Sequence, residues 1–188
     1  MRENALVTSH PRSDAFVEEI GREFPSFCIR PKSESALQRA IAIALKVVTL
    51  GAQHEYLTRY HTVLGYTLWV PTSWPQSPDD ARYILLRHER VHLRQRRRYG
   101  MMGMTFLYLL PFLPLGLAWG RARIEWEAYS ETLRATAEVK GLDAARDGEL
   151  HEYIVKQFSS GAYGWMWPFP SVIRRWIAEV IRDLERAE

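Results

Sequence analysis

Apolar residues recur at helical spacing through most of this chain and at strand-like spacing in two short runs. Residues 1 to about 12 read as a loose arm broken at His10-Pro11, followed by a short helix over Asp14–Arg22. Phe27-Cys28-Ile29 before Pro31 predicts a strand. Ser33 or Ser35 can cap a helix through Ala36–Val48, rich in Ala, Ile and Leu. Tyr60–Val70 (YHTVLGYTLWV) is β-branched and aromatic, with Gly65 marking a turn or bulge and Pro71 ending it, so it predicts a strand or hairpin.

The clearest helix follows. Ser77 suits an N-cap, Pro78 the first helical position, and Asp79 and Asp80 complement the positive end of the dipole. Its pattern runs to Tyr99, where Gly100 can close it. Ala81, Ile84, Leu85, His88, Val91, His92 and Gln95 fall on one side and Arg87, Arg90, Arg94, Arg97 and Arg98 on the other. Further helices are expected over Arg121–Lys140, ending at Gly141, over Gly148–Phe158, and over Ser171–Arg186. The fold class is therefore α+β, mainly helical, in a single domain of 188 residues with a small β-sheet beside the long helix.

With 47% hydrophobic residues and 23 aromatic side chains (seven Trp, nine Tyr, seven Phe), the chain can bury a substantial core. A formal charge of +3 does not by itself call for nucleic acid. Cys28 is the only cysteine, which excludes an internal disulfide and any cysteine cage for zinc. The first residues lack the apolar core of a signal peptide, so a cytoplasmic protein is expected.

Met101–Trp119 (MMGMTFLYLLPFLPLGLAW) carries no charge and has the length of a bilayer span. A single crossing would separate the helices on either side of it. Pro111, Pro114, Gly103 and Gly116 instead suggest a hairpin or buried loop that returns. The arginine-rich run 94–98 before it and Arg121 and Arg123 after it would then lie together, which predicts peripheral contact with an anionic membrane surface through residues 94–123, at the inner face. The run RQRRR has no accompanying nucleic-acid fold signature, and nucleic acid is not the favoured partner.

Inside the capped helix stands His88-Glu89-Arg90-Val91-His92, an H-E-x-x-H motif. Residues i and i+4 share one helical face, so both imidazoles can reach one ion while Glu89 addresses a water on it. Three protein ligands plus water is the usual catalytic zinc arrangement. The third is sought in ARIEWEAYSETLRATAE. Glu125 shares its side with Ala128, Tyr129, Thr132 and Thr136, mostly small residues that permit close helix approach, and is preferred. Glu127 shares a charged stripe with Glu131, Arg134 and Glu138 and stands as the alternative. Tyr163 and His151 are candidates for stabilising an oxyanion, and His54 and His61 are taken as structural.

HERVH followed by RIEWEAY resembles the gluzincin zinc metallopeptidases, most closely the HtpX-like and CAAX-processing membrane proteases, over roughly Arg82–Glu138. The resemblance implies a zincin-like domain and one Zn²⁺ held by His88, His92 and Glu125. It implies Glu89 as general base, a peptide or protein substrate, and an edge strand at Gly65–Val70 that aligns it. Where those families place an aspartate supporting a ligand histidine, this chain has Tyr129, which cannot supply a carboxylate. Two other classes fit the sequence: a zinc-binding module without catalysis, and a basic membrane- or nucleic-acid-associated protein with an accidental H-E-x-x-H.

Overall fold

A computed structural model describes residues 10–34, 61–109, 118–160 and 166–187, without the side chains of residues 105, 106, 108 and 109. The helix expected over Ala36–Val48, His54, Tyr163 and the centre of the uncharged segment lie outside the described residues. The chain is mostly helical with one three-stranded sheet, an α+β arrangement in coarse terms. It forms two compact units, Met1–Leu86 and Arg87–Glu188.

In the first unit α1 (Pro11–Glu23) starts earlier than the sequence suggests. Pro11 is no breaker, because a proline at the first helical position loses no hydrogen bond. His10 supplies no side-chain cap there. The Asp79 carboxylate does so instead, accepting from the backbone N–H groups of Arg12 (3.0 Å) and Ser13 (2.9 Å). Burial works to raise the Asp79 carboxyl, but the hydrogen bonds from Ser13 and Arg12 outweigh it and leave it below the usual carboxylate range. Asp79 thus caps a neighbouring helix as well as opening its own.

The sheet holds β1 (Cys28–Pro31), β2 (Thr62–Leu64) and β3 (Thr67–Val70) in the order β1-β3-β2. β2 and β3 form the hairpin, with Gly65 at φ +68° in the turn, where a side chain would be strained. β1 runs parallel to β3, pairing Ile29 with Leu68 and Pro31 with Val70. Leu68 and Val70 turn inward and are buried, as the period-two pattern requires. Among the described strands β3 is central, with both edges hydrogen-bonded, so Gly65–Val70 is not the edge strand the resemblance implies.

The long helix α2 (Asp79–Leu109) carries the chain from the first unit into the second. Ser77 does not cap it; its hydroxyl turns back to the Ser73 carbonyl across the turn Trp74–Gln76. The sequence places Ala81 and Ile84 on the inner face. The structure buries Arg82, Leu86, Glu89 and Leu93 and leaves Ala81 exposed. The buried line is rotated because Leu86 and Leu93 supply the larger apolar surface. Gly100 breaks the helix at φ 68°, ψ 174°, and a second helical stretch continues to Leu109.

The second unit contains the rest of α2 with α3 (Trp119–Lys140), α4 (Leu142–Ala145), α5 (Gly148–Ser159) and α6 (Pro170–Ala187). α3 ends where Gly141 takes φ 87°. Asp147 caps α5 by accepting from the Glu149 N–H at 3.1 Å. Ile173, Trp176, Ile177, Val180 and Ile181 of α6 recur at helical spacing and close onto Trp126, Leu133 and Phe158. None of the described helices is long and apolar enough to cross a membrane. Gly120 lies against Leu107, so the chain after the uncharged segment returns to the second helical stretch of α2.

Candidate metal centre

Two helices of the second unit build the site. α2 presents His88 and His92 one turn apart, and α3 presents Glu125 among small residues. Ala122, Ala128 and Thr136 are buried on α3, and their size lets the helices approach closely. Arg87 bridges the pair, with its guanidinium on Glu131 and on Glu138, the latter at 2.6 Å. This ties the charged rim of α3 to α2 beside the first histidine.

The inner atoms converge. His88 Nε2 and His92 Nε2 are 3.2 Å apart, and Glu125 Oε2 lies 3.7 Å from His92 Nε2. Among the described residues these three form the group of metal-capable side chains, with ligand atoms all within 4.8 Å of one another. Glu127 and His151 are not members. Glu127 stands on the exposed side of α3, and its Oε2 accepts from Gln95 Nε2 at 2.8 Å. His151 Nε2 meets the Ala145 carbonyl at 2.8 Å and fastens the corner between α4 and α5.

The hydrogen bonds behind the imidazoles fix their tautomers. Gln95 Nε2 faces two groups that can only accept, the Ile124 carbonyl and the Glu127 carboxylate. Its Oε1 therefore faces His92 Nδ1, at 2.9 Å, and that nitrogen must carry the proton. The Thr132 hydroxyl gives its own proton to the Ala128 carbonyl, so it accepts from His88 Nδ1 at 3.0 Å. Each imidazole thus holds a proton on Nδ1, and when neutral leaves a bare lone pair on Nε2. Between two neutral rings the 3.2 Å contact of the Nε2 atoms sets lone pair against lone pair, which a proton or a metal cation between them would relieve.

On His88 a proton is poorly favoured. Burial holds His88 well below the ordinary histidine range, and the neighbouring His92 adds to this, against the backbone of Ala128. Two imidazole nitrogens and a carboxylate oxygen are a zinc donor set, and two ligands at zinc distances and a tetrahedral angle stand about 3.3 Å apart. The residues present fit that ion.

Glu89 is buried on the adjacent side of α2. Burial pushes its carboxyl up to about 7; the charge of His92 opposes this and that of Glu125 adds to it. Tyr129 meets His88 through its ring, edge-on with centroids 4.9 Å apart, and packs on Phe158 from the other side. It walls the site, while the hydrogen bonds behind the imidazoles come from Thr132 and Gln95. Both lie on the faces that the sequence assigns to His92 and Glu125, and the i, i+3 spacing of His92 and Gln95 was the readable signal. No protein-family model, curated protein or solved structure gives a significant match to this chain.

Proposed function

We propose that the chain is a zinc-dependent hydrolase of peptide bonds, built on a zincin-like helix pair. The observation that carries this reading is the convergence of two acceptor-only imidazole nitrogens on one carboxylate, with a second, buried carboxyl beside them.

His88, His92 and Glu125 would hold the ion. When bound, zinc with three protein ligands supplies Lewis acidity at its open position and lowers the pKa of water there towards neutrality. Glu89 follows His88 directly in sequence and does not join the ligand group. With its proton affinity raised towards neutrality it can take a proton from the attacking water and return it to the departing amine. Thr132 and Gln95 hold the imidazoles in the tautomer that leaves Nε2 free. Tyr129 and its neighbours keep bulk water from the back of the site.

The test is metal analysis joined to hydrolysis. Purified protein is expected to take up one zinc per chain and His88→Ala none. Glu89→Gln should keep the metal and lose about 10²–10⁴-fold in hydrolysis of a peptide panel. No stoichiometric uptake by the wild type, or a Glu89→Gln variant as active as wild type, contradicts the proposal. Zinc uptake without hydrolysis of any peptide would support a binding module instead.

A further inference from the structure

The amide of Gln95 sits where an amide is seldom left, 3% exposed between two helices. Its principal partners all point one way. Oε1 accepts from His92 Nδ1, one N–H goes to the Ile124 carbonyl at 3.0 Å, and the other goes to Glu127 Oε2 at 2.8 Å. We propose that Gln95 is a positioning residue that sets the tautomer of His92, and that Glu127 keeps the amide facing the right way. The proposal rests on the metal-centre reading above.

An amide can rotate by half a turn and exchange oxygen for nitrogen at small steric cost. Rotated, Gln95 would aim an N–H at His92 Nδ1, the imidazole proton would move to Nε2, and the lone pair needed at the ion would be lost. The same rotation would set Oε1 against the Ile124 carbonyl and the Glu127 carboxylate. That opposition is the lock. A carboxylate and a carbonyl on α3 determine, through one amide, which nitrogen on α2 is free. The negative charge of Glu127 also polarises the amide and strengthens Oε1 as an acceptor for His92 Nδ1. Thr132 serves His88 in the same sense with a neutral hydroxyl whose proton is already committed. Glu127 therefore contributes to the centre without being a ligand, although it lies two residues from Glu125.

The experiment reads the tautomer directly. In metal-free, ¹⁵N-labelled full-length protein at about pH 8, where imidazole is neutral, long-range ¹H–¹⁵N spectra report which ring nitrogen of each histidine carries the proton. His92 is expected as the Nδ1–H form. Gln95→Leu, close in volume, should shift it towards the Nε2–H form and weaken zinc about 10–100-fold in competition with a chromogenic chelator. Glu127→Ala, on an exposed position, tests the lock without risk to the core and should give a smaller loss in the same direction. Wild-type zinc binding with an unchanged His92 tautomer and affinity in both Gln95→Leu and Glu127→Ala would overturn the proposal. If wild type binds no zinc, the metal reading fails, while the tautomer spectra still judge Gln95 on their own.

Discussion

Lys32 and His61 are enclosed in the first unit, and neither holds a charge there at its ordinary strength. Burial lowers the Lys32 ammonium to about 8. His61 is pushed down to about 4, first by burial and then by the charge of Lys32, and its Nε2 has no hydrogen-bond partner among the described residues. Its ring stands edge-on to Trp74 at 5.4 Å. The unfolded chain protonates His61 near 6.5, so between there and about 4 it binds more protons than the folded chain, and stability is lost as pH falls through that window. Lys32 acts at the other end: the folded chain releases its proton near 8 and the unfolded chain only near 10.5, so stability rises with pH between them. The melting temperature should fall on acidification from pH 7 to 4, and His61→Phe, which keeps the ring on Trp74, should flatten that slope. An equal slope in the variant would show that His61 is not the group responsible. The residue scale is where the sequence was least legible. Periodicity separated Glu125 from Glu127, because one lies among small residues and the other in a charged stripe. It could not show a buried Lys32, or give Gln95 a role, because amide orientation depends on partners far along the chain.

Helices were largely readable as elements, and the exceptions have tertiary causes. Asp79 was read as serving its own helix, yet its carboxylate caps α1. The strand segments carried their own β-branched signal, but pairing order did not, and the parallel contact of β1 with β3 turned an expected edge strand into a central one. Gly100 was a helix end by sequence and proves to be a break between two helical stretches. Its φ of 68° with ψ of 174° is open to glycine and costly for other residues. A Cβ there would meet nothing within 4 Å, so the strain is in the backbone alone. Gly100→Ala should lower unfolding stability by about 1–3 kcal/mol, measured by denaturant titration. An unchanged midpoint would mean that the backbone relaxes to negative φ and the two stretches merge.

At the level of the whole molecule, the proposed metal centre depends on bringing together side chains separated by the uncharged segment after Gly100. A chain crossing a bilayer once at that segment could not do this. Leu107 against Gly120 and His92 near Glu125 agree in returning the chain to its starting helix. Met101, Met102 and Trp119, near the ends of that segment, are exposed. The most direct measurement is a crystal structure of zinc-loaded protein with anomalous data on both sides of the zinc edge. The account predicts one peak within about 2.0–2.2 Å of His88 Nε2, His92 Nε2 and a Glu125 oxygen, with Gln95 between His92 and Glu127. Zinc-loaded crystals with no peak between the imidazoles, or a peak bound by Glu127 with Glu125 turned away, would contradict it.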